Sequence, residues 1–98
     1  MEILSRRYRK SPDLVFRQIA GEFVLVPIRH DVADLEAVYT LGGVGVRIWE
    51  LLDGMRDGYA ILDQIVLEYD ITPDEARSDL IEFLGELESV RGITLAEA

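Results

Sequence analysis

The apolar residues of this chain change period at residue 44. Before it they cluster as in "LVFRQIAGEFVLVPI", residues 14–28, which reads as two short strands rich in Val, Ile and Phe. Gly21-Glu22 lies between them as a hairpin-like break. Pro27 lacks an amide donor, so the second strand ends, or lies on an edge, at that point. "RHDVADLE" follows as a polar loop, and "EAVYTL", residues 36–41, is a third strand. After it, Val44, Ile48, Leu51, Leu52 and Met55 follow i, i+4, i+7, i+8, i+11 spacing, one stripe of a helix, with Asp53-Gly54 as its stop. A second helix near residues 59–69 keeps Ile61, Leu62, Ile65, Val66 and Tyr69 in register. The third has the clearest start: Thr72 as N-cap, Pro73 at the first position and Glu75 three after the cap. It ends before Gly92. Strands first and helices after them predict an α+β fold, a three-stranded antiparallel sheet followed by three helices.

Ninety-eight residues, 49% of them hydrophobic, suffice for one domain with a modest core and leave little room for a large two-sided catalytic cleft. The absence of cysteine excludes disulfides, thiolate metal sites and a cysteine nucleophile within these residues. A net charge of −9 repels nucleic acid and anionic membrane. Arg6, Arg7, Arg9 and Lys10 are four of the ten basic residues, so residues 1–10 are expected as a basic, flexible tail and residues 11–95 as the domain. No apolar run reaches membrane-spanning length, and the start lacks the apolar segment of a secretory signal, as expected of a cytoplasmic protein.

The stretch "TLGGVGVRIWELLDG", residues 40–54, puts three glycines at a strand-to-helix junction, where a phosphate could be cradled. No Lys-Ser/Thr follows the glycines, and the spacing is not G-x-G-x-x-G, so a glycine turn is the better reading. His30 is the only histidine; Asp31, Asp34 and Glu36 near it lack EF-hand spacing, and the group reads as a solvated loop. Ser5, Ser11, Ser78 and Ser89 lie in no motif that supplies a base and an orienter. No enzyme and no cofactor are expected.

On the third helix Ala76, Leu80, Phe83, Leu84, Leu87 and Val90 form one apolar arc, the expected core side. Glu75, Asp79, Glu82 and Glu86 cluster on one flank and read as a solvated face. Ile81 lies on the other flank with Arg77 and Glu88, roughly 120° from the centre of the arc. It is either a lone surface isoleucine or the lining of a groove.

Residues 36–93 resemble the PqqD family, whose domain is a precursor-peptide recognition element. Leu41, Gly45, Ile48, Trp49, Leu51, Leu52 and Gly54 match its first-helix pattern, and "EYDITPDEARSDLIEFLGELESVRGI", residues 68–93, matches its second half. "SPDLVFRQIAGEFVLVPI" is similar to the family's opening hairpin. Two departures stand out: Gly42, followed by Gly43, replaces a capping asparagine, and "MRDGYAIL" is a longer connection than the family's. The resemblance implies a winged helix-turn-helix-like, non-catalytic domain that binds the leader of a ribosomally synthesised precursor peptide. The leader would add as a strand beside Glu36, Ala37, Val38, Tyr39, Thr40 and Leu41, with Arg77, Ile81 and Leu84 as the opposite wall. The chain would act as a peptide chaperone, presenting the precursor to a tailoring enzyme such as a radical-SAM protein, in pyrroloquinoline quinone biosynthesis or a related peptide-modification pathway. An open edge strand also allows a homodimer. Two other readings are a winged-helix DNA-binding regulator, against which the acidic third helix argues, and a structural subunit of a larger assembly.

Overall fold

Thr72 starts the longest helix as its sequence requires. The Thr72 hydroxyl accepts from the Glu75 amide at 3.2 Å, Pro73 takes the first turn, and α3 runs over Pro73–Ser89. In this computed structural model, which describes residues 2–12, 14–27 and 39–96, Ala76, Leu80, Leu84 and Leu87 are the buried side of that helix. The helix closes on two bonds: the Gly92 amide donates to the Leu87 carbonyl at 2.7 Å, and the Arg91 amide donates to Glu88 at 3.0 Å. This is a Schellman closure with Arg91, at φ 60°, in the left-handed position that glycine usually fills.

The chain is an α+β protein. Strands β1 (Arg7–Lys10), β2 (Leu14–Ile19), β3 (Glu22–Pro27) and β4 (Tyr39–Leu41) precede α1 (Gly43–Leu51). Then come β5 (Asp53–Asp57), α2 (Gly58–Glu68), α3 and β6 (Ile93–Leu95). The expected antiparallel sheet is present in the order β2-β3-β4. Its hairpin turns through Ala20 and Gly21, both at positive φ as a tight primed turn requires, so Glu22 is the first residue of β3 opposite Ile19. Phe16 and Phe23 stack at 5.4 Å between centroids on this sheet. Residues 36–38 of the expected third strand, and the loop carrying His30, lie outside the described residues.

Two expectations need correction. Residues 1–10 are not a loose tail: Leu4, in a short 3-10 turn at Ile3–Ser5, is fully buried, and β1 is the middle strand of a second sheet ordered β5-β1-β6. Tyr8 faces the core at 1% exposure while Arg7 and Arg9 face outward, an ordinary strand alternation that the run of basic residues conceals. Burial lifts the Tyr8 phenol above the usual tyrosine range. The long connection "MRDGYAIL" has a structural use, since its first residues belong to β5, paired with β1 through Arg7 opposite Asp57 and Arg9 opposite Asp53. Met55 therefore leaves the α1 stripe: the helix ends at Leu51, the Asp53 carboxylate accepts from the Met55 and Arg56 amides, and the Met55 side chain is 77% exposed. Those two amides, the Met55 amide foremost, hold the Asp53 carboxyl below the usual carboxylate range.

One core unites the pieces, with Leu4, Leu25, Leu52, Ile61, Leu80, Leu84 and Leu87 at its centre. The N-terminal segment is seated by close approach. A Cβ on Gly58 would lie 2.6 Å from Leu4 Cα and 2.8 Å from the Leu4 carbonyl oxygen, so the backbones themselves are in contact there. The Gly58 amide donates to the Arg6 carbonyl at 3.2 Å.

Two substitutions test this architecture. Gly58→Ala must displace the Leu4 backbone and should cost about 1–3 kcal/mol, the range for an overpacked site, read as a fall in thermal midpoint of roughly 5–15 °C. Arg91→Gly relieves the left-handed residue and should add about 0.5–1 kcal/mol in denaturant titration; no gain would show that the turn after α3 carries no strain.

Candidate functional site

β4 is an outer strand of its sheet: it pairs with β3 through Phe23–Leu41, Val24–Thr40 and Leu25–Tyr39, and no described strand pairs with its other side. An outer strand presents unpaired backbone donors and acceptors. Thr40 is exposed, and Leu41 turns its side chain into the core.

The strand passes directly into α1. Gly42 caps that helix without a side-chain hydrogen bond, and its carbonyl accepts from the Val46 amide at 2.9 Å. Open space surrounds both Gly42 and Gly43, so no packing contact demands glycine there. A Cβ on Gly45 would stand 3.6 Å from the Leu41 side chain, an ordinary contact, so the strand end and the first turn of α1 touch. The Tyr69 hydroxyl, just past α2, donates to the Gly43 carbonyl at 3.4 Å and holds the helix start in place. Farther along, Arg47 forks onto Glu68 with two bonds of 2.8 Å, which ties α1 to α2 and holds the Glu68 carboxyl below its ordinary range.

Between α1 and α3 lies a groove of about 270 Å³. Val44, Gly45 and Ile48 line it from α1, and Asp79, Glu82, Phe83 and Glu86 from α3. Its floor is apolar and its α3 rim is acidic. Arg6, Arg47, Arg56 and Arg77 form ion pairs with Glu88, Glu50 and Glu68, Asp53 and Glu2; among the described residues Asp79, Glu82 and Glu86 join no ion pair.

The expected wall of Arg77, Ile81 and Leu84 does not line this groove. At 100° per residue it faces roughly the opposite side of α3 from the groove residues. Arg77 reaches away to Glu2, with Nη2 3.0 Å from Oε1, and Arg6 lies 4.0 Å from Glu88 on the same flank. Glu2 also bonds the Tyr59 hydroxyl, chiefly through which the Tyr59 phenol is raised above its usual range. Ile81 lies between these two anchors and packs against the core, and Leu84 has no exposed surface. The flank of α3 that carries Arg77 and Ile81 is thus tied to the N-terminal segment. Of the expected strand residues, Tyr39, Thr40 and Leu41 form β4, and Glu36, Ala37 and Val38 lie outside the described residues. Both sequence readings of this side of α3 hold, since Phe83 packs against the core and Asp79, Glu82 and Glu86 are exposed to solvent; what they did not suggest is that these residues also line a groove. The signal available was their adjacency, with Phe83 at the edge of the apolar arc beside Asp79 and Glu86.

The arrangement offers backbone hydrogen-bonding groups along an edge, an apolar pocket at its end and fixed negative charge beside the pocket. Among the described residues no cluster of His, Cys, Asp and Glu could hold a metal ion, and no helix is long and apolar enough to cross a membrane.

Comparison with known proteins places the chain. No curated protein matches its sequence. The solved structure of TbiB1 in complex with the TbiA(beta) leader peptide is similar to it, with a TM-score of 0.67 and 28% identity over 87% of this chain and 93% of that one. Residues 22–93, from the start of β3 to the start of β6, match the family described as coenzyme PQQ synthesis protein D. The chain is a member of the PqqD family.

Proposed function

We propose that this protein is a non-catalytic chaperone that binds the leader of a ribosomally synthesised precursor peptide and presents it to a tailoring enzyme. The observation that carries this reading is the continuity of the open β4 edge with the apolar groove. An extended leader adds to the β4 edge at Tyr39–Leu41 through main-chain hydrogen bonds, and alternate side chains, about 6.6 Å apart, drop toward Val44, Ile48 and Phe83. The affinity comes from the strand, and the choice of sequence from the pocket. The family and the leader-bound TbiB1 neighbour support the same ligand class. Leu84 then serves from behind, as core support for the wall, and Arg77 and Ile81 seat the N-terminal segment.

A tailoring enzyme, of radical-SAM or another peptide-modifying type, would receive the leader already extended and ordered, which lowers the entropic cost of capturing a flexible peptide. Pairing of two β4 edges would use the same backbone groups, so self-association through this edge and leader binding exclude each other. The DNA-binding alternative gains nothing from the groove, whose three carboxylates repel phosphate.

Two matched substitutions, one in the groove and one outside it, test the reading. The probes are synthetic peptides covering the N-terminal halves of the short reading frames that neighbour this chain's gene. One of them should bind with Kd in roughly the micromolar range or tighter; binding by none overturns the proposal. Val44→Gln should weaken that binding about tenfold, the loss of one partly buried apolar contact, with the thermal midpoint nearly unchanged. Ile81→Gln should do the reverse, lowering stability by about 1–2 kcal/mol while affinity stays. Equal affinity losses in both variants would remove the groove from the site.

A further inference from the structure

We propose that the groove selects leader peptides carrying a lysine or arginine next to an apolar residue, the apolar side chain entering the pocket and the cation lying along Asp79, Glu82 and Glu86. This rests on the leader-binding reading and adds the chemical class of its ligand.

The gathering around one apolar pocket of three carboxylates unpaired among the described residues carries the inference. Glu2, Glu50, Asp53, Glu68 and Glu88 each face an arginine within 4.0 Å. The three carboxylates of the groove rim join no ion pair among the described residues, and neither do Glu22, Asp57, Asp63, Asp70, Asp74 and Glu75. The rim differs in that its three stand together beside an apolar pocket, on one flank of one helix, where like charges repel. Their repulsion is relieved by a positive group from outside. The rim spans about 10 Å along α3, the length of about three extended residues, so a passing peptide meets it over a short, defined segment. The helix end reinforces the sign: the last turn of α3 contains no basic residue, and its C-terminal carbonyls add negative potential near Glu86. Over longer range the net charge of −9 draws a cationic peptide in. The floor of Val44, Ile48 and Phe83 makes the preference a combined one, because a polar basic peptide leaves the pocket unfilled.

Random 15-residue peptides displayed on phage and selected on the full chain provide the test. Enriched peptides should carry Lys or Arg within two positions of Leu, Ile, Val or Phe. The best of them should bind the Asp79→Asn/Glu82→Gln/Glu86→Gln variant about tenfold more weakly, with a flatter salt dependence. Replacing the peptide's basic residue by glutamine, which leaves the protein untouched, should reproduce the loss on the unaltered chain. Enriched peptides without a basic bias, bound equally by both proteins, would overturn the charge selection and leave leader binding standing. Failure to enrich any peptide would overturn both.

Discussion

The contact between Leu4 and Gly58 decides much of this molecule. It seats the N-terminal segment against α2 at backbone distance, and from there β1 enters the second sheet between β5 and β6. The same segment brings Glu2 to Arg77 and Arg6 to Glu88, along one flank of α3. These exposed ion pairs contribute little energy by themselves. Their value is in showing where the segment lies, while the buried Leu4 and Tyr8 side chains supply the attachment. With one flank of α3 so engaged, the flank that faces the groove is the acidic one.

That geometry gives the glycine-rich junction its meaning. Gly42 and Gly43 have room around them and support no side-chain cap, so they form a plain junction between β4 and α1. The capping asparagine of the family would fit the same space and gain a few tenths of a kcal/mol. Gly45 is where the strand end and the helix meet, and it lines the groove with Val44 and Ile48. A bound strand and a filled pocket would therefore meet at a single corner of the fold.

The sequence was informative wherever the signal was local. The apolar period marked α1, α2 and α3, and the Thr72–Pro73–Glu75 cap marked the start of α3 to the residue. The β2–β3 hairpin followed from its Val, Ile and Phe content. The second sheet left no such trace, because β1, β5 and β6 are short and come from three separate parts of the chain, and β1 and β5 carry charged residues on the outer face. Arg7 and Arg9 look like tail residues until Asp57 and Asp53 are placed opposite them. The place of Ile81 was not legible for the same reason. Ile81 stands off the apolar arc, and only the Glu2–Arg77 pair, 75 residues apart in sequence, reveals that its flank belongs to the N-terminal segment. Periodicity gives the faces of a helix; long-range contacts decide which of them remain open.

The account stands on the β4 edge as the place where a peptide is received. The direct measurement is amide hydrogen exchange along Tyr39–Leu41 with and without a saturating leader peptide. The account predicts that the amides of this strand turned away from β3 slow by at least about tenfold when the peptide is bound, as an added strand pairs with them. Unchanged exchange there, with new protection along β2, β5 or β6 instead, would contradict it.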